Sequence, residues 1–125
     1  MNFDLTKTTR VFLGVILAIF GLNGFFNFLP AVSLEGPALD FVGALVATGY
    51  LFPLVKLTEI TCAVLLLTNR LVPLALVLLT PVLINIFAFH YFLAPSGLMV
   101  PVALVLGTAY LAWKNRSSYA PLFIV

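Results

Sequence analysis

Two long stretches of the chain, residues 11–34 and 71–113, contain no Asp, Glu, Lys or Arg. A run of roughly 20 apolar helical residues, rising about 1.5 Å per residue, crosses a hydrocarbon core of about 30 Å. The whole chain of 125 residues is only 8% charged, whereas a soluble domain is about a quarter charged. The sequence therefore predicts an all-α integral membrane protein with a single transmembrane domain, residues 1–125.

Turn-forming residues divide these runs into segments. Pro30 ends the first apolar helical pattern, Gly49 and Tyr50 separate the short pattern at about 38–48 from the next one, and a Pro-Ser-Gly turn begins at Pro95. We predict a four-helix bundle with an additional short re-entrant or interfacial helix. The four long helices should cover about 10–29, 51–68, 72–92 and 98–116, and the short helix about 38–48. Asp40 should lie in the first turn of the short helix, and Pro81 should kink the third long helix.

Basic residues predict the orientation in the membrane. If both termini are cytoplasmic, five of the six basic residues fall on the inner side, as the positive-inside rule requires: Lys7, Arg10, Arg70, Lys114 and Arg116. Lys7 and Arg10 before an apolar run also resemble a signal peptide, but the run is long for that role, so we expect it to be retained as the first helix. The net charge of +2 gives no reason to expect nucleic acid. The expected partners are membrane lipids, a protein partner or further copies of the chain.

Lys56 and Glu59 are ionisable residues inside a predicted membrane helix. At i and i+3 they lie on one helix face, so their side chains should meet. Intramembrane charged residues normally face the bundle interior and mark functional sites. The competing interpretations are a buried ion pair that only orients the helix, a Lys56 that extends to the headgroups, and a protonated Glu59.

Four further polar residues are candidate ligand contacts: Asn85 and His90 on the third long helix, and Asn23 and Asn27 on the first. Asn85 and His90 are five residues apart, about 140° around an ideal helix, so both reach one cavity only if the helix is kinked or the cavity is wide. The alternative for Asn23 and Asn27 is interhelical hydrogen bonding or contact with headgroups, and for His90 an interfacial or structural hydrogen bond. A single histidine with scattered acids predicts no metal site. The small residues Gly14, Ala18 and Gly21 share one face of the first helix and should allow close helix approach.

Several of these residues belong to a pattern that extends over nearly the whole chain: Gly49-Tyr50-Leu51, Lys56, Glu59, Leu65-Leu66, Pro81, Asn85-Ile86-Phe87, Phe89-His90, Pro95-Ser96-Gly97 and Tyr119-Ala120-Pro121-Leu122-Phe123. In these residues the chain resembles the DoxX-like family of small membrane proteins. The resemblance implies a four-helix bundle in a bacterial cytoplasmic membrane, with Glu59, Lys56, Asn85 and His90 at matching positions. Relatives in that family are described as subunits of thiosulfate:quinone oxidoreductase, as partners in thiol-oxidative-stress complexes, or as receptor-assembly chaperones.

Two hypotheses of different classes follow. The first is an oxidoreductase-associated membrane subunit that binds a quinone or another apolar molecule in an outward-facing pocket, with Glu59 and Lys56 as its floor and Asn85 and His90 as its walls. The second is a non-catalytic scaffold or chaperone whose polar residues only fix helix packing. Proton transport is a weaker third. Cys62 is the only cysteine, so the chain carries no thiol–disulfide pair of its own, and enzymatic activity stays an open question at this level.

Overall fold

The structure is a computed structural model that describes residues 2–125, and this part of the chain contains helices and no strand. Six α-helices are present, which we number in chain order: α1 (Leu5–Phe26), α2 (Gly36–Ala47), α3 (Leu51–Leu67), α4 (Val72–Leu93), α5 (Met99–Lys114) and α6 (Arg116–Tyr119). Two short 3-10 turns cover Pro95–Gly97 and Ala120–Phe123. The predicted all-α class is confirmed.

Helix length and apolarity identify the segments that could cross a membrane. α1 and α4, each of 22 residues, are long and apolar enough to do so, and α2 and α3 meet the same test only as a pair bent by 89°. α5 is apolar but shorter. By length and composition, the described residues therefore hold two helices that could span a membrane, or three if the bent pair forms one span.

The helices pack in a cyclic order. α1 has its most extensive contacts with α3, α3 packs against α4, α4 against α5, and α5 against α1. Leucine dominates the buried core between these helices, whose members are Leu13, Leu17, Cys62, Ala63, Leu66, Val72, Ala75, Leu76, Leu79, Leu83, Leu104 and Leu111. Since lipid is as apolar as leucine, close packing and interhelical hydrogen bonds must hold such helices together.

Glycines allow α1 to approach α3 closely. A Cβ atom at Gly14 would lie 2.8 Å from Cγ of Leu67, and one at Gly21 would lie 2.7 Å from Cγ1 of Ile60. Both glycines are buried, which confirms the predicted small-residue face. Gly24, which the sequence pattern did not single out, continues this face against Lys56.

Three hydrogen bonds join the helices at the end of the bundle where α1 begins and α5 ends. The Arg10 guanidinium donates to the carbonyl of Leu66, and the hydroxyls of Thr6 and Tyr110 lie 3.1 Å apart. The Tyr119 hydroxyl donates to the carbonyl of Pro73 over 2.9 Å. Burial raises the pKa of Tyr119, so the phenol stays protonated and remains a donor.

The predicted helix ends need correction at the opposite end of the bundle. α1 ends at Phe26 rather than near 29, because Asn27 adopts a left-handed conformation (φ 51°) and Oδ1 of Asn23 accepts a hydrogen bond from the backbone of Leu29 over 2.7 Å. α2 begins at Gly36, so the predicted place of Asp40 in the first turn is wrong, and that turn contains no acid. α4 is continuous through Pro81.

The last predicted helix also ends early. α5 stops at Lys114, and the chain turns at Asn115 before α6. The side chain of Asn115 donates to the carbonyl of Leu111 over 2.8 Å. Because asparagine can bond the preceding turn in this way, it ends α5 just before the predicted limit near 116 and separates it from α6.

Candidate functional site

Lys56 and Glu59 form an ion pair on α3, as their spacing predicted. Nζ of Lys56 lies 3.2 Å from Oε2 and 3.4 Å from Oε1 of Glu59. Glu59 is 2% exposed and the Lys56 side chain 18% exposed. Both carboxylate oxygens therefore face a single ammonium group in an almost closed environment.

The surroundings of this pair belong to the α1–α3 interface. Gly24 faces the methylenes of Lys56, and Gly21 faces Cβ of Glu59. The Lys56 ammonium also lies 5.5 Å from the centroid of the Phe52 ring, within range of a cation–π contact. Glycines on α1 and an aromatic ring on α3 thus enclose the pair at the α1–α3 interface.

Cys62 lies one turn beyond Glu59 on the buried face of α3. It is a free cysteine with no exposed surface, and its thiol lies 3.4 Å from the carbonyl of Ala75, to which it donates. This weak bond connects α3 to α4 across the core. Packing accounts for the residue, since reactive cysteines are accessible to their partners.

The two asparagines of α1 terminate that helix. Asn23 accepts the backbone bond from Leu29 that closes the turn, and Asn27 is the left-handed residue at the helix end. Asparagine tolerates this conformation better than most residues because its short side chain can bond locally. These contacts place Asn23 and Asn27 in a helix-terminating turn.

Asn85 lies in a groove between α2 and α4. The groove has a volume of about 250 Å³ and is lined by five apolar residues and one amide: Phe41, Ala88, Phe89, Phe92, Leu93 and Asn85. The rings of Phe41 and Phe89 are 5.5 Å apart between centroids and connect α2 to α4. We call this feature the α2–α4 groove. Phe41 is a residue that the sequence pattern did not single out, since aromatic residues occur in every helix.

The Asn85 amide is exposed and only partly engaged. Its Nδ2 donates to the carbonyl of Pro81 over 2.9 Å, one helical turn back. A primary amide has two N–H donors and an oxygen with two acceptor sites. The bond to Pro81 uses one donor. The amide oxygen and the second N–H take no part in it.

His90 faces the turn between α4 and α5. Its Nδ1 lies 2.8 Å from the carbonyl of Ile86, which requires a proton on Nδ1 and leaves Nε2 as the acceptor in the neutral ring. A Cβ atom at Gly97 would lie 2.9 Å from the imidazole Cδ2. His90 thus packs against the Pro95–Gly97 turn.

The six candidate residues are therefore distributed over separate places in the fold. Lys56 and Glu59 meet, but among residues 2–125 no hydrogen bond joins either of them to Asn85 or His90. Asn85 and His90 each bond a carbonyl four residues back on their own helix, so neither is drawn toward the ion pair. Within the same residues, no group of three or more His, Cys, Asp or Glu side chains could hold a metal ion.

Comparison with known proteins identifies no relative of this chain. No protein-family model matches it, and neither the curated proteins nor the solved structures contain a match.

Proposed function

We propose that this chain is a DoxX-like membrane protein that binds a lipid-soluble molecule of the quinone class in the α2–α4 groove. The observation that supports this most directly is the exposed amide of Asn85 among aromatic side chains. Asn85 is thirteen residues from the start of α4 and eight from its end, about 20 Å and about 12 Å along the helix axis. It therefore lies within the hydrocarbon core if α4 crosses the membrane.

An amide at this depth needs partners that lipid does not supply. Burying a polar group in an apolar environment without a hydrogen bond costs roughly 2–7 kcal/mol, depending on the reference state. The bond from Asn85 to Pro81 relieves only part of this cost. A ligand that brings a carbonyl or hydroxyl group to Asn85 would relieve the rest.

A quinone matches both parts of the groove. Its ring carbonyl accepts a hydrogen bond from the free N–H of Asn85, and its flat ring packs against Phe41 and Phe89 in stacked or edge-to-face contact. Phe92 is 76% exposed at the groove, so an apolar molecule can enter sideways from the bilayer. An outward-facing aqueous opening is not required.

The ion pair has a different role in this proposal. Lys56 and Glu59 are absent from the lining of the α2–α4 groove, so the earlier hypothesis that they form the floor of the ligand site is replaced. They act as positioning residues at the α1–α3 interface, where Gly21 and Gly24 of α1 lie against their side chains. No residue of the chain is proposed to be catalytic, and any electron transfer would take place in an associated oxidoreductase.

The proposal includes the location of the protein. We propose that α1, α3, α4 and α5 cross a bacterial cytoplasmic membrane with both termini on the cytoplasmic side. The antiparallel packing of α1 and α3 supports this proposal, since Gly14 lies against Leu67 at the end of α3 and Gly24 against Lys56 near its start. The basic residues at the start of α1, in the α3–α4 turn and at the end of α5 support it as well.

The test is native mass spectrometry of the protein extracted from its own membrane, with quinone and phospholipid standards. The parent should retain a quinone, and Asn85→Leu should lose it. Thr80→Val is the matched control, because Thr80 is also exposed on α4 and bonds the carbonyl four residues back, yet does not line the groove. A parent without quinone, or equal retention in Asn85→Leu, would contradict the proposal.

A scaffold is the second candidate, and the engaged state of the other polar groups favours it. Lys56, Glu59 and Asn23 are all bonded within the chain, as expected for residues that only fix packing. In that case a polar group on a partner helix would bond Asn85. Asn85→Leu would then release a co-purifying protein, and the parent would carry no quinone.

A further inference from the structure

The end of the bundle away from α2 carries cations without carboxylate partners. Among residues 2–125, the only salt bridge is Lys56–Glu59. Of the other acids, Asp4 caps α1 through the backbone of Lys7, and Glu35 and Asp40 lie at the opposite end, beside or within α2. Arg70, Lys114 and Arg116 are all exposed and have no acid to neutralise them.

An exposed tryptophan organises two of these cations. Cζ of Arg116 lies 4.4 Å, and Nζ of Lys114 5.5 Å, from the centroid of the Trp113 ring. Arg116 also donates to the carbonyl of Trp113 over 3.0 Å. Trp113 is 58% exposed, and tryptophan prefers the depth of the lipid headgroups. The indole therefore holds two positive charges side by side at that depth.

A tertiary contact connects the segment of the third cation, Arg70, to that of Arg116. The hydroxyl of Tyr119 donates to the carbonyl of Pro73, which fixes α6 against the start of α4. Arg116 precedes Tyr119 by three residues and Arg70 precedes Pro73 by three. The two arginines thus lie on the two segments that this hydrogen bond connects.

The segment after α6 exposes apolar side chains six to eight residues along the chain from Arg116. Leu122, Phe123 and Ile124 are 73%, 83% and 78% exposed. Exposed apolar residues next to basic residues are typical of segments that lie in the membrane interface. Acyl chains cover the apolar side chains there, and phosphate groups face the cations.

We propose that Arg70, Lys114 and Arg116, together with Trp113 and the apolar side chains of Leu122 and Phe123, form a binding surface for an anionic phospholipid. We call it the C-terminal basic surface. The phosphodiester, whose negative charge is not compensated by an ammonium group in an anionic phospholipid, bonds the guanidinium and ammonium groups, and arginine is suited to this because its planar fork can bind two phosphate oxygens at once. This inference does not depend on the α2–α4 groove or on its ligand.

The test uses the full chain in nanodiscs of phosphatidylcholine or of phosphatidylglycerol with the same acyl chains, followed by native mass spectrometry of the retained lipid. The parent should retain phosphatidylglycerol in preference. Each basic residue near an anionic surface contributes a factor of about five in affinity. The double variant Lys114→Gln, Arg116→Gln should therefore bind phosphatidylglycerol roughly 25-fold more weakly.

Lys7→Gln is the matched control, since it removes an exposed positive charge at the same end of the bundle but outside the C-terminal basic surface. It should weaken the retention of phosphatidylglycerol by less than either Lys114→Gln or Arg116→Gln alone. An equal loss in Lys7→Gln and in either single variant would show diffuse surface charge and overturn the site. No preference for phosphatidylglycerol in the parent would overturn it as well.

Arg116→Lys keeps the positive charge and is a smaller change than the double variant, so it tests the site even if the double variant fails to fold. It should retain the preference for phosphatidylglycerol but bind it more weakly than the parent, because lysine cannot bind two phosphate oxygens in a fork. The lipid proposal fails if Arg116→Lys and the double variant both bind phosphatidylglycerol like the parent. If these variants also lose an acidic protein that co-purifies with the parent, the surface binds that protein.

Discussion

Gly24 of α1 provides the space in which the methylenes of Lys56 of α3 lie. A Cβ atom at Gly24 would be closer than van der Waals contact to Cγ and Cδ of Lys56. Because the lysine side chain is confined there, its ammonium group is directed at Glu59, three residues along α3. A glycine on one helix thus sets the geometry of an ion pair on its neighbour.

We expect Gly24→Ala to destabilise the protein by about 1–3 kcal/mol, the usual cost of inserting a methyl group into a packed interface. The added methyl group forces Lys56 away from α1 and lengthens its contact with Glu59. Gly43→Ala is the control, because no atom lies within 4 Å of a Cβ there, and alanine favours the helix over glycine by about 1 kcal/mol. Thermal unfolding in detergent micelles measures both. Equal melting temperatures would contradict the proposed role of Gly24.

Removal of one member of the ion pair should cost more than removal of both. Lys56→Met leaves the buried Glu59 carboxylate without a partner, a change that typically destabilises by about 3–5 kcal/mol. The double variant Lys56→Met, Glu59→Met replaces both charges with apolar side chains and should regain most of this loss. Unfolding titrations of the parent, the two single variants and the double variant form the cycle that gives the coupling.

Additive losses in that cycle would contradict a stabilising interaction between Lys56 and Glu59. They would mean that the surroundings satisfy Lys56 and Glu59 separately. A coupling of the expected sign would support the positioning role that the proposed function gives to the pair.

The sequence predicted the helices well because charge and turn residues mark where a membrane helix can begin and end. It predicted the meeting of Lys56 and Glu59 because two residues three apart on a helix need no tertiary information to be neighbours. It did not predict which face of each helix is buried. Leu78 is 44% exposed and Leu79 is fully buried, yet both are leucines, since lipid and protein core select the same side chains.

Local hydrogen bonds explain where the other candidate residues lie. Asn23 and Asn27 were predicted as ligand contacts, and the structure shows that they shape the end of α1. Asn85 and His90 were expected beside the ion pair, but each bonds the preceding turn of α4. A polar side chain in a membrane helix can satisfy its needs within its own helix, and residue type alone does not distinguish that case from a shared site.

Arg10 should contribute to stability through its bond to the last turn of α3. Its guanidinium donates to the carbonyl of Leu66, near the negative end of the α3 dipole. Hydrogen bonds to charged groups contribute about 1.5–3 kcal/mol, and we expect Arg10→Met to destabilise by an amount at the lower end of that range because the site is partly exposed. Lys7→Met, one turn earlier and exposed, is the control. Equal unfolding free energies of the two variants would exclude the role.

Tyr119→Phe should loosen the end of the chain without unfolding the bundle. It removes the donor to the Pro73 carbonyl, a change that costs about 1 kcal/mol. Hydrogen exchange should increase in residues 116–123 and remain unchanged in α1 and α3. Tyr50→Phe is the matched control, because Tyr50 is 64% exposed. Unchanged exchange at the end of the chain in Tyr119→Phe would show that this bond does not hold α6 in place.

The proposed orientation is tested by labelling from one side of the membrane. Ser33 and Ser117 are both exposed, Ser33 between α1 and α2 and Ser117 in α6. In a Cys62→Ala background, a membrane-impermeant maleimide added to intact cells should label Ser33→Cys and leave Ser117→Cys unlabelled until the cells are lysed. The basic residues near Ser117 predict this result because they favour the cytoplasmic side. Labelling of Ser117→Cys alone in intact cells would reverse the proposed orientation. Labelling of both positions would mean that α2 to α5 cross the membrane an even number of times, which contradicts the proposal.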